Sequence, residues 1–169
     1  MAILNSTLLN YIYKCKCPQA GKIFAEVKPS IIKSLPIFDI DSDKQQPFVD
    51  KADLMLLNNT LLLELKNKFI QLLISKWSTL NITSKLDQWY HLTFENFRKE
   101  IEKQKIALSL SEQAEWLKYF SEQKLKAEQF KVIIMQTDEA IDALVYQLFE
   151  LTDEEISIIE NQTKKNRQS

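Results

Sequence analysis

Glycine is almost missing from this sequence, because Gly21 is the only one among 169 residues, and prolines number four. A sheet with many tight turns needs more of both residues than this. A glycine-rich phosphate loop and a nucleophile elbow each need glycines at fixed spacing. The composition therefore excludes these sites and predicts a mainly α-helical protein.

Histidine and cysteine are nearly as rare, which limits the chemistry that the chain can support. His91 is the only histidine and lies between two predicted helices, where a loop or interface role is more typical than catalysis. Cys15 and Cys17 are one residue apart, too close for an easy disulfide and too few for structural zinc. We therefore interpret them as reduced thiols and predict no catalytic residue, metal or cofactor site in this chain.

One acidic pattern imitates a metal-dependent nuclease. Asp53 with Glu64-Leu65-Lys66 supplies the acidic pair and lysine of such sites. Both carboxylates, however, fall on one predicted helix, where eleven residues separate them by roughly 16 Å. Ligands of a single ion must lie within a few Å of it. The nuclease interpretation is therefore rejected.

Long apolar runs are missing too. No run reaches the length that spans a bilayer, and the first nine residues lack the basic start of a signal peptide. We expect a cytoplasmic protein with no membrane contact.

The most regular feature that is present is a long predicted helix, Leu110 to Leu151, with no glycine or proline in it. At 1.5 Å per residue it would be roughly 60 Å long. From Phe120 onward apolar residues return at alternating spacings of three and four, which is typical of a helix seam that needs a partner. The seam comprises Phe120, Ala127, Phe130, Ile134, Ile141, Leu144, Leu148 and Leu151, with Gln123 and Thr137 as polar members.

The sequence after this helix contains a capping box, Thr152 to Glu155. It predicts a short last helix, Ile156 to Asn161, within a helical region that ends at residue 162. The polar and basic residues 163–169 are expected to form a disordered tail.

A second long helix is predicted from Phe48 to Trp77, after an acidic linker over residues 39–46. It carries two apolar stripes, so we expect burial on two sides. The stripes are Val49, Leu56, Leu63, Ile70 and Trp77, and Leu54, Leu57, Leu61, Leu65 and Leu72. Two shorter helices, Lys85 to Tyr90 and Phe94 to Lys105, should close the third side. Residues 47–162 are thus predicted to form an antiparallel, coiled-coil-like bundle of long helices.

The N-terminal segment, residues 1–38, is predicted to be a small α/β element. It should contain a helix from Thr7 to about Lys14, a strand over Ile23 to Val27 and a helical turn at Pro29 to Lys33. Such a short segment cannot enclose a core unaided.

Charge is distributed unevenly along the chain. Residues 1–36 carry five lysines and one glutamate, a net charge of +4, whereas residues 110–151 carry four bases and eight acids, a net charge of −4. The basic segment could meet a polyanion. The candidate contacts to a DNA backbone are Lys14, Lys16, Lys22, Lys28 and Lys33.

The string IDALVYQLFELTDEEISIIE, Ile141 to Glu160, is similar to the closing segment of type IIG restriction-modification enzymes and the related N6-adenine DNA methyltransferases. The strings at Ile3 to Tyr13 and Gly21 to Ile37 are similar to the end of the TaqI-like C-terminal specificity domain. The middle of the chain, at Trp89 to Lys103 and Leu110 to Phe120, resembles the helical appendix between those regions.

This resemblance implies a non-catalytic C-terminal fragment or subunit of an adenine-specific DNA methyltransferase, often one with endonuclease activity. It would take part in recognition of double-stranded DNA and position the catalytic parts. Domains that bind S-adenosylmethionine and Mg²⁺ would lie upstream, on the same parent chain or on another subunit. The alternative is a helical interaction or oligomerisation protein that makes no contact with DNA.

Overall fold

Helices make up the regular structure of the part of the chain that the computed structural model describes, residues 2–17 and 28–167, with side chains to residue 163. They are α1 (Ala2–Asn5), α2 (Thr7–Lys16), α3 (Pro29–Lys33), α4 (Ser42–Lys76), α5 (Ser84–Asp87), α6 (Phe94–Glu102), α7 (Leu110–Leu148) and α8 (Asp153–Arg167), with a 3-10 turn at Trp89–His91. The predicted mainly helical fold is confirmed. The predicted strand, Ile23 to Val27, falls outside the described residues, and no α/β element is found within them.

The chain divides into two units. Unit 1 combines Met1–Met55 with Gln136–Ser169, and unit 2 is Leu56–Met135. This division differs from the predicted one, which separated residues 1–38 from a bundle over residues 47–162. The predicted boundary was placed where the composition of the chain changes. In the structure the apolar side chains of α2 pack against partners from both ends of the chain, and these together form unit 1.

Unit 1 has a core where α2 packs on α8. Its fully or nearly fully buried members are Leu8, Leu9, Phe48, Ile141, Val145, Tyr146 and Ile159. The first turn of α2 is held by Asp142 of α7. One carboxylate oxygen accepts from the Thr7 backbone N–H at 2.7 Å and the other from the Thr7 hydroxyl at 2.6 Å. A carboxylate at a helix N-terminus satisfies free N–H groups and opposes the helix dipole, so it fixes where α2 begins.

Unit 2 has a core built on aromatic rings. Phe69 of α4 stacks on Trp89 with ring centroids 3.9 Å apart, and Trp77 stacks on Trp116 at 5.2 Å. The buried members are Phe69, Leu73, Leu80, Leu86, Trp89, Phe97, Ile101, Leu108, Trp116 and Phe120. The helices α5 and α6 and the 3-10 turn contribute four of them, so the prediction that short helices close the third side is confirmed in unit 2.

Two contacts give the direction of the long helices in unit 2. The Lys76 ammonium pairs with the Glu112 carboxylate at 3.2 Å, and the Phe69 and Phe120 rings lie 6.0 Å apart. Because higher numbers on α4 meet lower numbers on α7, the two segments run antiparallel, as predicted.

Burial of α4 on two sides, however, is wrong. Leu56, Leu57 and Leu63 are 68%, 55% and 54% exposed. The core of unit 2 includes α4 residues only from Leu65 onward. The spacing of the leucines showed which faces of the helix are apolar, but it could not show how far along the helix the short helices reach.

The predicted start of the long helix at Phe48 is wrong, because α4 already begins at Ser42, inside the predicted linker over residues 39–46. The Asp41 carbonyl accepts from the Lys44 and Gln45 N–H groups at 2.9 and 3.0 Å, which closes the first turn. Pro47 lies inside the helix. Proline has no N–H to donate, so the helix lacks one backbone hydrogen bond at this position, in its second turn.

Helix ends are set by side chains that the sequence only partly revealed. The Thr152–Glu155 capping box is confirmed, since the Thr152 N–H and hydroxyl donate to the Glu155 carboxylate at 2.9 and 3.0 Å. A second capping box, Ser109 with Glu112, starts α7 and was missed although its spacing is readable. The last helix reaches Arg167, so the tail expected over residues 163–169 begins within helical backbone.

No helix in the described ranges is both long and apolar enough to cross a lipid bilayer.

Substituting Phe69→Ala should remove the ring on which the core of unit 2 packs. Losing a fully buried phenylalanine typically lowers the free energy of unfolding by roughly 3–5 kcal/mol. Leu110→Ala is the control, because Leu110 is 86% exposed and should change stability by less than about 0.5 kcal/mol. Urea unfolding followed by tryptophan fluorescence measures both, and equal effects would contradict the assigned core.

Candidate functional site

The predicted DNA contacts that lie within the described residues are Lys14, Lys16, Lys28 and Lys33. They lie at the end of α2 and along α3 in unit 1, and all four are exposed. We call these four residues the lysine surface. Lys22, the fifth candidate, falls outside the described residues.

Two hydrogen bonds bring the end of α2 to α3. The Lys28 N–H donates to the Tyr13 hydroxyl at 3.0 Å, and the Lys16 ammonium donates to the Ser34 carbonyl at 2.8 Å. Ser34 is the C-cap of α3, so the positive charge lies where the helix carbonyls point. The structure thus gives Lys16 a local role in holding α3, which the sequence did not indicate.

The remaining lysines of this surface are available for other partners. Lys14, Lys28 and Lys33 make no ion pair with any residue in the described ranges. Residues 2–17 and 28–38 contain no aspartate or glutamate. A surface with one sign of charge attracts polyanions, and lysines of this kind contact phosphates without reading base identity.

A second basic cluster lies in unit 2 and was missed. The Lys131 ammonium is 3.4 Å from Nδ1 of His91, and the Lys124 ammonium donates to the Leu92 carbonyl at 2.8 Å. We call His91, Lys124 and Lys131 the His91 cluster. Its lysines lie on α7 and its histidine on the 3-10 turn, so only the fold brings them together.

The environment of His91 favours its neutral form. Partial burial, then Lys131 and then Lys124, lower the pKa of the imidazole below its ordinary value. Burial penalises the charged ring and the two ammonium groups repel a third positive charge.

The structure locates the acidic residues, the lysine and the cysteines that the sequence analysis considered for catalysis and metal binding. Asp53 and Glu64 both lie on α4, and Lys66 pairs with Asp87 at 2.7 Å. The described residues include no group of three or more histidines, cysteines, aspartates or glutamates that could hold a metal ion. Cys15 is exposed and Cys17 is buried, and both are free thiols.

Unit 1 contains an apolar cavity of about 290 Å³. Its lining includes Ile3, Phe38, Phe48 and Val49, with Gln45 as a polar member. The Gln45 side-chain amide already donates to the Ile40 carbonyl at 2.7 Å. Ligand sites need polar groups that fix orientation. This cavity therefore gives a weaker indication of function than the two basic surfaces.

The fold and these surfaces define a helical protein with basic patches and with no metal-ligand cluster among its described residues. The chain belongs to the family described as a domain of unknown function (DUF8810), whose model matches residues 41–145. The match covers more than half of the chain and includes the His91 cluster, while the lysine surface lies before it. No curated protein and no solved structure matches the chain.

The lowered pKa of His91 gives a pH dependence with a definite sign. Because the folded state disfavours the protonated ring, neutral His91 contributes to folding stability above about pH 6.5, the ordinary histidine pKa. This contribution to stability is lost as pH falls through the lowered pKa. Between pH 7.5 and pH 5.5 the unmodified chain should therefore lose more stability than His91→Gln. Urea unfolding at both pH values tests this, and an equal loss in the two proteins would contradict it.

Proposed function

We propose that this chain is a non-catalytic helical module that grips the phosphate backbone of double-stranded DNA through its lysine surface. It would belong to a restriction-modification DNA adenine methyltransferase whose recognition and catalytic domains are supplied upstream or by another subunit. The observation that carries the proposal is the juxtaposition of α2 and α3, which groups exposed lysines in segments that contain no acidic residue.

The fold favours a positioning role over a catalytic one. The lysines lie at helix ends in unit 1, and the core of this unit holds α2. The backbone that carries the lysines of α2 would therefore be in place before DNA binds. Contacts of this type set the orientation of a protein on a duplex and carry no sequence information themselves. The bases recognised would therefore be set by the missing parts of the parent enzyme.

The recognition part of the proposal rests on the resemblance stated above. The matched family has no assigned function, so it neither adds to that resemblance nor opposes it. S-adenosylmethionine and Mg²⁺ would bind the upstream domains, and this chain would supply no ligand to them.

The triple variant Lys14→Glu, Lys28→Glu and Lys33→Glu should abolish binding to duplex DNA. In the unmodified chain log K should fall with log salt with a slope near −0.9 for each phosphate neutralised, roughly. Fluorescence anisotropy of a labelled duplex over a salt series measures both quantities.

The control for this experiment changes the same net charge elsewhere. Lys44, Lys118 and Lys126 are exposed and lie outside both basic surfaces, so their reversal should leave most of the affinity in place. Equal loss in the two triple variants would show that net charge, and not the lysine surface, governs binding. Binding that does not weaken as salt rises would reject the backbone grip.

An alternative function is supported by a different observation. The exposed leucines of α4, Leu56, Leu57 and Leu63, form an apolar surface of the kind that marks interaction sites. The chain could then associate with a second copy without touching DNA. The predicted seam over Phe120 to Leu151 is a weaker candidate for such an interface, because Phe120, Ala127 and Ile141 are already buried within the chain.

Oligomeric state separates the two functions. Under the alternative, light scattering on a size-exclusion column should give a multiple of the chain mass, and Leu56→Lys with Leu63→Lys should return it to that of one chain. Ile158→Lys is a control, since Ile158 is as exposed as Leu63 but lies on α8. A single-chain mass for the unmodified protein at high concentration would reject the alternative.

A further inference from the structure

In the His91 cluster a lysine ammonium lies next to a histidine ring nitrogen and not next to a carboxylate. The ammonium of Lys131 lies 3.4 Å from the His91 ring nitrogen, and it makes no ion pair with a carboxylate among the described residues. An ammonium can only donate, so Nδ1 acts as the acceptor and the ring proton lies on Nε2. Two positively charged side chains therefore lie near a neutral ring whose Nε2–H points away from Lys131, and protonation of Nδ1 would place a second N–H donor beside the Lys131 ammonium.

Lys124, the second lysine of the cluster, has a hydrogen-bond acceptor but only a weak ion pair. Lys124 donates to the Leu92 carbonyl at 2.8 Å, next to His91 in the chain, and its ammonium is 3.8 Å from the Glu128 carboxylate. The latter distance is at the outer limit of an ion pair, so Glu128 neutralises this charge weakly. The side-chain charges that act most on His91 both come from α7 and are both positive.

The position of the ring is fixed by the core of unit 2. Trp89, at the start of the same 3-10 turn, is fully buried and stacks on Phe69. Tyr90 lies with its ring centroid 4.6 Å from that of His91. The exposed histidine thus lies two residues from a buried ring that packs against α4 and α7.

We propose that His91, Lys124 and Lys131 form a phosphate-binding site. Its ligand is a phosphate group, either free phosphate or a phosphate of a nucleic-acid backbone. Lysine ammonium groups and a histidine N–H are donors that phosphate oxygens accept, and charge-assisted hydrogen bonds of this kind are the stronger ones. The site belongs to unit 2 and does not depend on the lysine surface of unit 1.

Binding of an anion at this site should couple to protonation of the ring. A phosphate group next to His91 replaces repulsion from two ammonium groups with attraction to negative charge, so the charged imidazole becomes more favourable. By linkage, protonation of His91 should strengthen binding of the anion by the same factor by which the anion favours protonation of the ring.

The chain offers a clean measurement, because His91 is the only histidine and gives one imidazole signal in an NMR titration. In sodium phosphate the midpoint of that titration should shift upward relative to sodium chloride at the same ionic strength. Lys131→Gln should abolish the difference between the two salts. Lys118→Gln, an exposed lysine of α7 outside the cluster, should keep it.

Two results would overturn the proposal. One is an identical titration of His91 in phosphate and in chloride, and the other is a phosphate-specific shift that persists in Lys131→Gln. Both variants change exposed side chains, and circular dichroism confirms that they remain folded.

A short DNA duplex, added in place of phosphate, distinguishes the two sources of the ligand. A shift of the His91 signal with duplex that is lost in Lys131→Gln supports a backbone phosphate as the ligand. A shift with inorganic phosphate and none with duplex supports free phosphate. The lysine-surface triple variant should retain the response to inorganic phosphate even if it no longer binds DNA, so failure of either proposal can be recognised separately.

Discussion

The contact between Phe69 and the rings around it is the interaction on which unit 2 depends. This one side chain of α4 lies within 6.2 Å, centroid to centroid, of rings from the 3-10 turn, α6 and α7. Aromatic pairs add to the free energy of burial when their rings stack or meet edge to face. Phe69 thus joins α4 and α6 to the 3-10 turn that carries His91, and Trp89 of that turn also meets Phe120 of α7.

In unit 1 a polar contact sets the geometry. Asp142 binds the first residue of α2 through both carboxylate oxygens, and α2 then packs on α8. Burial of the neighbouring Tyr146, followed by the charge of Asp142, raises the pKa of that phenol to about 12. The lysine surface at the other end of α2 is therefore carried by a helix whose start is anchored to residues more than a hundred positions away.

Periodicity was enough to predict the long helices and several of their ends. The spacing from Phe120 to Leu151 located the second half of α7, and the Thr152 capping box marked where α8 begins. The end of α7 shows what was harder to predict. Glu150 adopts a positive φ of 53°, a conformation usually given to glycine, and the Leu151 N–H donates to the Tyr146 carbonyl. With no glycine there, the helix was predicted to run to Leu151, three residues beyond its end at Leu148.

The basic clusters show the same limit more clearly. The lysines of α2 and α3 were found because they are near in sequence, but their joining through Tyr13 and Ser34 was not readable. The His91 cluster was missed altogether, since His91 and Lys131 are 40 residues apart and meet only because α7 runs back along α4. Exposure of Leu56 and Leu63 was likewise decided by the reach of the short helices and not by the apolar pattern.

If the lysine surface is the face that meets DNA, a duplex of about two turns should slow hydrogen exchange of the whole chain around residues 14–17 and 28–34. Exchange in the exposed part of α4 should stay unchanged. Slowing confined to residues 56–63, or no slowing anywhere, would contradict this role of the lysine surface.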